Sequence, residues 1–247
     1  MSSRFFCSGY YKLDAWVLAH CIAIFTRRFC EQFLTVKNDP KGRLYDQMYM
    51  AARSVYANIA EGRARHSTST ETEMRLLDVA RGSSIELSED LMQLIIEQNG
   101  EIWYMNHPKM QALQQVPFIH TDYEDNNWSH DAAERIKMQV ALYEPLVMGN
   151  SMLDCANALF VLCKKMEKML SGFIDKLFEE FTQKGGFTES LTQARLEHRQ
   201  QVALSDNAPL CPKCGKPMLQ RMIKKGTKQG QTFWGCSDYP RCDGARD

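Results

Sequence analysis

Four cysteines near the end of the sequence have the type and spacing of a metal site. They form two pairs, Cys211 with Cys214 and Cys236 with Cys242, in the pattern C-x2-C-x21-C-x5-C. Thiolates in two such pairs bind zinc tetrahedrally. A module of about 40 residues has too small an apolar core to fold unaided, so the ion would supply most of its folding free energy. The sequence therefore predicts that all four cysteines bind Zn²⁺.

The residues between the two cysteine pairs predict a β-hairpin with a basic turn. The stretch "PMLQRMI" fits one strand, "KKGTKQG" the turn and "QTFWGC" the return strand. Basic side chains beside exposed rings are what single-stranded nucleic acid requires, since charges hold its backbone and rings stack on its bases. Successive strand residues point to opposite faces, so we expect one of Phe233 and Trp234 to pack and the other to be available. The predicted nucleic-acid contacts are Arg221, Lys224, Lys225, Lys228, Phe233, Trp234, Tyr239 and Arg241.

The charge of the chain is zero overall but unevenly distributed. Residues 1–182 contain 19 Lys and Arg against 24 Asp and Glu, whereas residues 183–247 contain 11 against 6. A basic tail on an acidic body indicates that contact with nucleic acid is concentrated in the tail.

The remaining cysteines and the apolar segments indicate where the protein works. Single cysteines among apolar residues behave as small hydrophobes, and free thiols fit a reducing compartment. The start of the chain lacks a secretory pattern, and the apolar run "AWVLAHCIAIF" is shorter than the roughly 20 residues that span a membrane. We therefore predict a cytoplasmic protein with no membrane contact, and free thiols at Cys7, Cys21, Cys30, Cys155 and Cys163.

Apolar periodicity predicts four long helices before the basic tail. The clearest stripe runs with 4-3-4-3 spacing from Met152 to Leu177, a pattern typical of helices packed at shallow angles. Gly62 is expected to cap the second helix, and Thr70 with Glu73 to form a capping box at the start of the third. Gly82 is expected to allow close helix approach. The predicted helices cover about 14–35, 42–61, 70–99 and 152–182.

These elements predict an all-α, antiparallel up-down four-helix bundle followed by a small β zinc ribbon. Residues 1–182 would form the bundle, with a helical insertion at 101–150 whose helix is capped by Ser129. Fifty residues are too many for a plain bundle loop. Residues 183–206 would be a linker containing a short helix, and residues 207–247 the C4 ribbon.

A polar cluster is predicted at the corner between the second and third helices. Asn58 falls on the apolar stripe of its helix, and a buried amide needs hydrogen-bond partners. Glu61, Arg81 and Glu86 are the candidate partners. We interpret the cluster as an architectural lock, with a binding or catalytic role as the alternative. The basic stretch "GRARH" beside it is either a nucleic-acid contact or a solvated loop.

The sequence contains no recognised catalytic pattern, so we predict a protein that is not an enzyme. None of its six histidines pairs with an acid at metal or triad spacing, and a Gly-rich phosphate loop and a nucleophile elbow are missing from the sequence. His20 lies on an apolar stripe and is expected in the core. His120 beside the acidic stretch "TDYED" is interpreted as part of a surface loop, with a metal site as the alternative.

The tail resembles the C-terminal zinc ribbon of type IA DNA topoisomerases. The resemblance rests on "CPKCG", the following "PM" and "FWGCSDYPRC", and it covers about 35 residues. It implies zinc ligation and the binding of single-stranded DNA or a protein partner. It does not imply strand cleavage, because the catalytic domains of that family would not fit in the rest of the chain.

A second resemblance involves the helical body. "NIAEG" and "ARGSSIEL" are similar to a bacterial four-helix bundle family. This family includes the intervening-sequence proteins encoded in ribosomal RNA genes, the accessory proteins of diversity-generating retroelements and a four-helix-bundle suffix branch. Its members form homopentamers, and the retroelement branch binds nucleic acid and a reverse transcriptase. The resemblance implies a bacterial homo-oligomer, whereas the insertion at 101–150 departs from the compact family pattern.

Together these features predict a non-enzymatic, nucleic-acid-binding accessory protein. The bundle would oligomerise, and each subunit would present one ribbon to single-stranded DNA or RNA. The alternative is a protein-interaction scaffold whose ribbon docks on a polymerase, a reverse transcriptase or a topoisomerase. A third hypothesis is a DNA-processing enzyme with its site in the insertion.

Overall fold

A computed structural model of the chain describes residues 9–123, 127–205, 208–223, 226 and 230–246. It divides into two compact units, Met1–Lys184 and Gly185–Asp247. The first is helical, and the second holds one helix and a small antiparallel sheet. The helices among the described residues are α1 (Asp14–Phe33), α2 (Arg43–Arg65), α3 (Thr70–Glu97), α4 (Pro108–Gln115), α5 (Trp128–Val147), α6 (Met152–Lys184) and α7 (Phe187–Ser205), preceded by a 3-10 turn at Tyr10–Lys12.

Helices α1, α2, α3 and α6 of the first unit surround one apolar core. Helix α2 packs on α3, α3 on α6, and α1 on both α2 and α6. The apolar stripe predicted for α6 is buried along most of its length, including Leu159, Cys163, Met166 and Leu170. The mostly helical fold is confirmed, whereas the antiparallel up-down topology stays a prediction. Among the described residues, no helix combines the length and apolar character that crossing a bilayer requires.

The described thiols of the helical unit are packing groups, and Cys7 lies outside the described residues. Cys21, Cys30 and Cys163 are fully buried, and burial raises the pKa of each to about 12. A thiol reacts as its thiolate, so these cysteines are unreactive near neutral pH.

The two glycines of the α2–α3 pair have roles different from those predicted. Helix α2 continues through Gly62 to Arg65, so Gly62 is not its cap. A Cβ added to Gly62 would lie 3.3 Å from both the Glu73 carbonyl oxygen and the Leu76 Cβ, whereas one added to Gly82 would meet nothing within 4 Å. Gly62 therefore provides the close helix approach that we expected from Gly82.

Helix α3 begins with Ser69 as its N-cap, not with the predicted Thr70–Glu73 capping box. The Ser69 Oγ accepts a hydrogen bond from the Thr72 backbone N–H at 3.2 Å. Glu73 is unavailable for capping because its side chain is completely buried and faces α2.

A buried carboxylate fastens the α2–α3 corner. The Arg63 Nη1 donates to Glu73 Oε1 at 2.8 Å, and the His66 Nδ1 lies 2.6 Å from the other carboxylate oxygen. The Arg63 guanidinium also lies 5.7 Å from the centre of the Phe173 ring on α6. In the "GRARH" stretch, Arg63 thus forms an ion pair with a buried acid, and His66 lies within hydrogen-bond distance of it.

The predicted polar cluster of Asn58, Glu61, Arg81 and Glu86 is not brought together. Asn58 is only half-buried, and its amide donates to the carbonyl and hydroxyl of Ser54 one turn earlier, both at 2.9 Å. Glu61 and Glu86 are exposed. The Asn58 amide needs no partner on α3, because its own helix already satisfies it.

Arg81, the fourth residue of that predicted cluster, bonds on another side of α3. Its guanidinium pairs with Asp78 and donates to the Ser171 hydroxyl on α6 at 3.3 Å. It therefore joins α3 to α6.

A buried arginine attaches the insertion to the start of the chain. Arg135 on α5 is 1% exposed. Its Nε donates to the Ile119 carbonyl at 2.6 Å and its Nη1 to the Lys12 carbonyl at 3.1 Å. Its Nη2 pairs with Asp14, the first residue of α1. One side chain thus holds α5, the preceding loop and the N-terminal turn together.

A second anchor lies on α6. The Asn157 Oδ1 accepts from the Trp103 backbone N–H at 2.8 Å, and its Nδ2 donates to the Glu101 carbonyl at 3.1 Å. The insertion contains α4 and α5, so the expected added helical structure is present. Helix α5 begins at Trp128 after Asn127 rather than after the predicted cap Ser129.

His20 packs between two rings, although it is half-buried rather than fully in the core as predicted. Its imidazole stacks on Tyr56 with ring centres 4.2 Å apart and meets the edge of Trp16 at 4.3 Å. Burial lowers the pKa of His20 to about 4 from its ordinary 6.5.

We predict that this histidine makes the helical unit less stable in acid. Between pH 6.5 and 4, His20 is protonated in the unfolded chain but stays neutral in the folded chain. The contribution of His20 to the free energy of unfolding is therefore fully present above pH 6.5. It falls by on the order of 3 kcal/mol by pH 4. Urea unfolding of the His20→Phe variant should show a flatter pH dependence than the wild type. His130→Gln, which alters an exposed histidine, is the control, and equal pH dependence in all three proteins would contradict the prediction.

Candidate metal centre and nucleic-acid interface

The second unit contains a three-stranded antiparallel sheet. Its strands are β1 (Met218–Met222), β2 (Thr232–Cys236) and β3 (Ala245–Arg246), in the order β1-β2-β3. The first two correspond to the predicted hairpin. The sequence did not indicate β3, since a two-residue strand is too short to show periodicity.

Each cysteine pair lies in a tight turn whose backbone orients its thiols. In the first turn Gly215 adopts the left-handed conformation, φ 71°. Its N–H donates to the Cys211 carbonyl at 2.9 Å, and the Cys211 N–H donates to the backbone carbonyl of Lys216 at 2.8 Å. In the second turn the Asp238 N–H donates to the Cys236 sulfur at 3.4 Å. Both turns present their sulfurs to one point.

The geometry of the four thiols fits zinc. Their Sγ atoms all lie within 4.8 Å of one another, with Cys214 and Cys236 3.4 Å apart and Cys211 and Cys242 3.8 Å apart. A tetrahedral ion with Zn–S bonds of about 2.3 Å places its sulfurs about 3.8 Å apart. Within the described part of the chain, no other three histidine, cysteine or acidic side chains converge in this way.

A glycine leaves room for this centre. A Cβ added to Gly244 would lie 2.2 Å from the Cys211 sulfur. The Gly244 carbonyl accepts from the Cys236 N–H at 2.8 Å. Backbone at position 244 therefore passes directly against the thiols, and a side chain there would displace a ligand.

The thiols differ in acidity before any ion binds. Burial by itself would raise the pKa of Cys211, but hydrogen bonds from the backbone at Lys213 and Cys214 outweigh it and lower the pKa to about 7. Burial and the neighbouring thiols raise the pKa of Cys236 to about 12. The Cys211 thiolate thus forms readily, whereas Cys236 needs a cation to neutralise the charge it would add.

Two ion pairs connect the cysteine turns. Lys213 in the first turn pairs with Asp243 after the second, and Lys216 pairs with Asp238, both at 2.8 Å. Exposed pairs of this kind contribute little to stability. Their larger consequence is electrostatic, because the paired aspartates neutralise Lys213 and Lys216.

The two faces of the sheet separate the adjacent aromatic residues. Trp234 packs with Cys211, Met218 and Cys236 in the small core. Phe233 lies on the opposite face, where it is directly across from Arg221 in the β1–β2 register. The expectation that one ring packs and the other is available therefore assigns Trp234 to the core and Phe233 to the other face.

The Phe233 face carries further predicted contacts. The Arg221 guanidinium carbon lies 5.2 Å from the centre of the Tyr239 ring, and Tyr239 is 58% exposed. Arg241 is also exposed. No described carboxylate lies within ion-pair distance of Arg221 or Arg241, so both charges remain available. Lys224, Lys225 and Lys228 lie outside the described residues.

Comparison with known families agrees with both parts of the chain. Residues 209–247 match the family described as "Topoisomerase DNA binding C4 zinc finger". Residues 11–106 match the family described as "23S rRNA-intervening sequence protein". Both resemblances are confirmed, and the second match covers α1 to α3 and ends before α4. No curated protein and no solved structure matches the chain.

The chain therefore combines two regions with different relatives. One is a helical region similar to the intervening-sequence proteins. The other is a C4 zinc ribbon of the topoisomerase type, whose clustered cysteines fit Zn²⁺.

Proposed function

We propose that this protein is a non-enzymatic accessory protein whose zinc ribbon binds single-stranded DNA or RNA. The observation that carries the proposal is the surface formed by Arg221, Phe233 and Tyr239, here called the ribbon face, with the exposed Arg241 two residues after Tyr239 in the chain. It combines an unneutralised guanidinium group with an exposed ring, in a module that matches a family described as DNA-binding.

The shape of the ribbon face favours a single strand over a duplex. Gly235, the fourth residue of β2, places no side chain on this face, where the side chains of Arg221 and Phe233 lie nearest to it. An exposed ring can stack on an unpaired base, whereas the bases of a duplex are already stacked on each other. Stacking contributes about 1–3 kcal/mol per base and tolerates any sequence.

The balance of charge supports the same assignment. Lys213 and Lys216 are neutralised by aspartates, so among the described residues the free positive charge of the ribbon comes from Arg221, Arg241 and Arg246, to which the sequence adds Lys224, Lys225 and Lys228. The helical unit is acidic by composition, which directs nucleic acid to the ribbon. We further propose that the helical unit forms a homo-oligomer, as its family resemblance implies. Several ribbons on one assembly would raise avidity by about 10²–10⁴-fold.

The remaining parts of the proposal concern place and activity. Buried free thiols at Cys21, Cys30 and Cys163 support action in a reducing cytoplasm. Since the sequence carries no catalytic pattern, we expect the purified protein with divalent metal neither to cut nor to relax DNA. Nuclease or relaxation activity that copurifies with the protein would favour the enzyme hypothesis instead.

We predict salt-dependent binding of single-stranded oligonucleotides. Anisotropy titrations over a salt series should give a logarithmic slope that drops by about 0.7 for each phosphate contact removed. Replacing Lys224, Lys225 and Lys228 together by glutamine should flatten the slope. Tyr239→Ala should weaken binding about 5- to 150-fold with little change of slope, since it removes stacking and no charge.

A charge change outside the ribbon provides the control for these titrations. Lys37→Gln removes an exposed charge from the α1–α2 loop and should leave the slope unchanged. Equal affinity for duplex and single strand, or an unchanged slope in the triple variant, would refute the proposal. Capture of a polymerase, reverse transcriptase or topoisomerase that survives nuclease treatment, with no binding to bare oligonucleotide, would favour the scaffold alternative.

A further inference from the structure

We propose that Arg221 is a positioning residue that couples the metal centre to the exposed Tyr239 ring. The inference rests on the proposed function, because it assigns Tyr239 as the stacking group. It adds that the ring is held ready for a base only while the cysteine turns are closed around their ion.

The coupling begins at the carbonyl group of a metal ligand. The Cys236 carbonyl oxygen accepts a hydrogen bond from the Tyr239 backbone N–H at 3.3 Å. The same oxygen accepts from the Arg221 Nη2 at 3.3 Å. One backbone group of a thiol ligand therefore organises both the ring and the guanidinium.

The second link is the contact between the guanidinium and the ring. The Arg221 Cζ lies 5.2 Å from the Tyr239 ring centre, within the distance at which a cation is attracted to an aromatic face. A planar guanidinium can donate to a carbonyl and lie against a ring at the same time, whereas a lysine ammonium is a point charge without a plane. At position 221, only arginine can therefore make both the carbonyl hydrogen bond and the ring contact in this way.

The third link is the space that allows the arginine to cross β2. A Cβ added to Gly235 would lie 3.1 Å from both the Cδ and the Nε of Arg221. Gly235 is paired with Leu219, two residues before Arg221 on β1. The Arg221 side chain thus runs over a strand position that has no side chain, and a larger residue there would displace it without altering its charge.

These links predict that three perturbations act on the ring in the same way. Removing the ion releases the Cys236 carbonyl, Arg221→Gln removes the guanidinium, and Gly235→Val pushes the guanidinium aside. Each should free the Tyr239 ring. Arg241→Gln removes a neighbouring exposed charge and should not, because no described contact joins Arg241 to the ring.

The test measures the ring without nucleic acid. The full chain is labelled with 3-fluorotyrosine, and the 19F resonance of Tyr239 is identified by its loss in Tyr239→Phe. We expect chelation, Arg221→Gln and Gly235→Val each to move this resonance towards the position of free fluorotyrosine. Arg241→Gln should leave it in place. Zinc content per chain is measured for every variant, and Arg221→Gln and Arg221→Lys should retain the ion.

Binding titrations then distinguish the positioning role of Arg221 from the effect of its charge. Arg221→Lys should keep the salt slope of the wild type but bind a single strand about 2- to 5-fold more weakly. Arg241→Gln should lower the slope and leave the 19F signal unchanged. If Gly235→Val loses the ion, the two Arg221 variants decide the question.

The inference is overturned if the Tyr239 resonance is the same in wild type and in zinc-loaded Arg221→Gln, or if Arg221→Lys binds like the wild type. Failure of the proposed function looks different. In that case the wild type binds no single strand, while the 19F resonance of zinc-loaded Arg221→Gln still shows whether the guanidinium positions the ring.

Discussion

Replacing Cys211 with alanine is expected to unfold the zinc ribbon and to leave the helical unit folded. The buried core of the ribbon consists of Cys211, Met218 and Cys236, so two of its three members are metal ligands. Structural zinc contributes about 10–16 kcal/mol of apparent binding free energy in comparable modules, far more than one buried methionine provides. With one ligand removed, the remaining apolar core is too small to hold the sheet.

The measurement combines zinc content with spectra of the two units. The Cys211→Ala variant should contain no zinc and should lose the dispersed amide resonances of β1 and β2, while far-UV circular dichroism keeps its helical signal. Chelation of the wild type should produce the same spectrum. Cys163→Ala is the matched control, since it removes a buried thiol from α6 and should keep one zinc per chain. Dispersed ribbon resonances in the metal-free protein would show that the ion is not the main source of stability.

Replacing Arg135 with methionine is expected to destabilise the helical unit by about 3–5 kcal/mol. The variant leaves Asp14 without its partner and leaves the carbonyl groups of Lys12 and Ile119 without their donors. Methionine fills similar space but can donate to none of these oxygens. The loss is costly because two backbone carbonyl groups lose their donor, while Asp14, whose side chain is 33% exposed, keeps among the described residues only His120 at 3.8 Å.

Urea unfolding measures this loss, and hydrogen exchange locates it. We expect faster exchange in α5 and in the turn at Tyr10–Lys12, with α2 and α3 less affected. Lys137→Met alters an exposed residue two positions away and should change stability by less than about 0.5 kcal/mol. A loss below about 1 kcal/mol in Arg135→Met would show that apolar packing alone holds α5 in place. A double-mutant cycle with Asp14→Asn isolates the ion pair from the carbonyl contacts.

Local sequence patterns were sufficient to predict the long helices and the hairpin strands and to identify the metal ligands. The stripe from Met152 to Leu177 predicted α6, because a helix repeats every 3.6 residues and must bury one side. The four cysteines could be assigned because ligand spacing within a turn is set by a few consecutive residues. The alternation of strand residues predicted that Phe233 and Trp234 separate, although not which of them would pack.

Partners that are distant in sequence could not be predicted in the same way. Periodicity shows which side of α2 is buried, but it does not show which residue of α3 lies opposite each position. Asn58 was therefore given partners on α3 that it does not contact, and the close approach of the two helices was placed at Gly82 instead of Gly62. The acid that is buried at this corner is Glu73, whose position three residues after Thr70 resembles a capping box.

By itself, the amino-acid sequence determined the class of each part: amphipathic helices for the body and a zinc-binding hairpin for the tail. Only the tertiary structure decided the contacts that join distant segments. It brought Arg135 to Asp14, and it laid Arg221 across Gly235 onto Tyr239. The physical reason is that helix and turn formation depend on neighbours along the chain, whereas the partner of a buried charge depends on where the backbone returns in space.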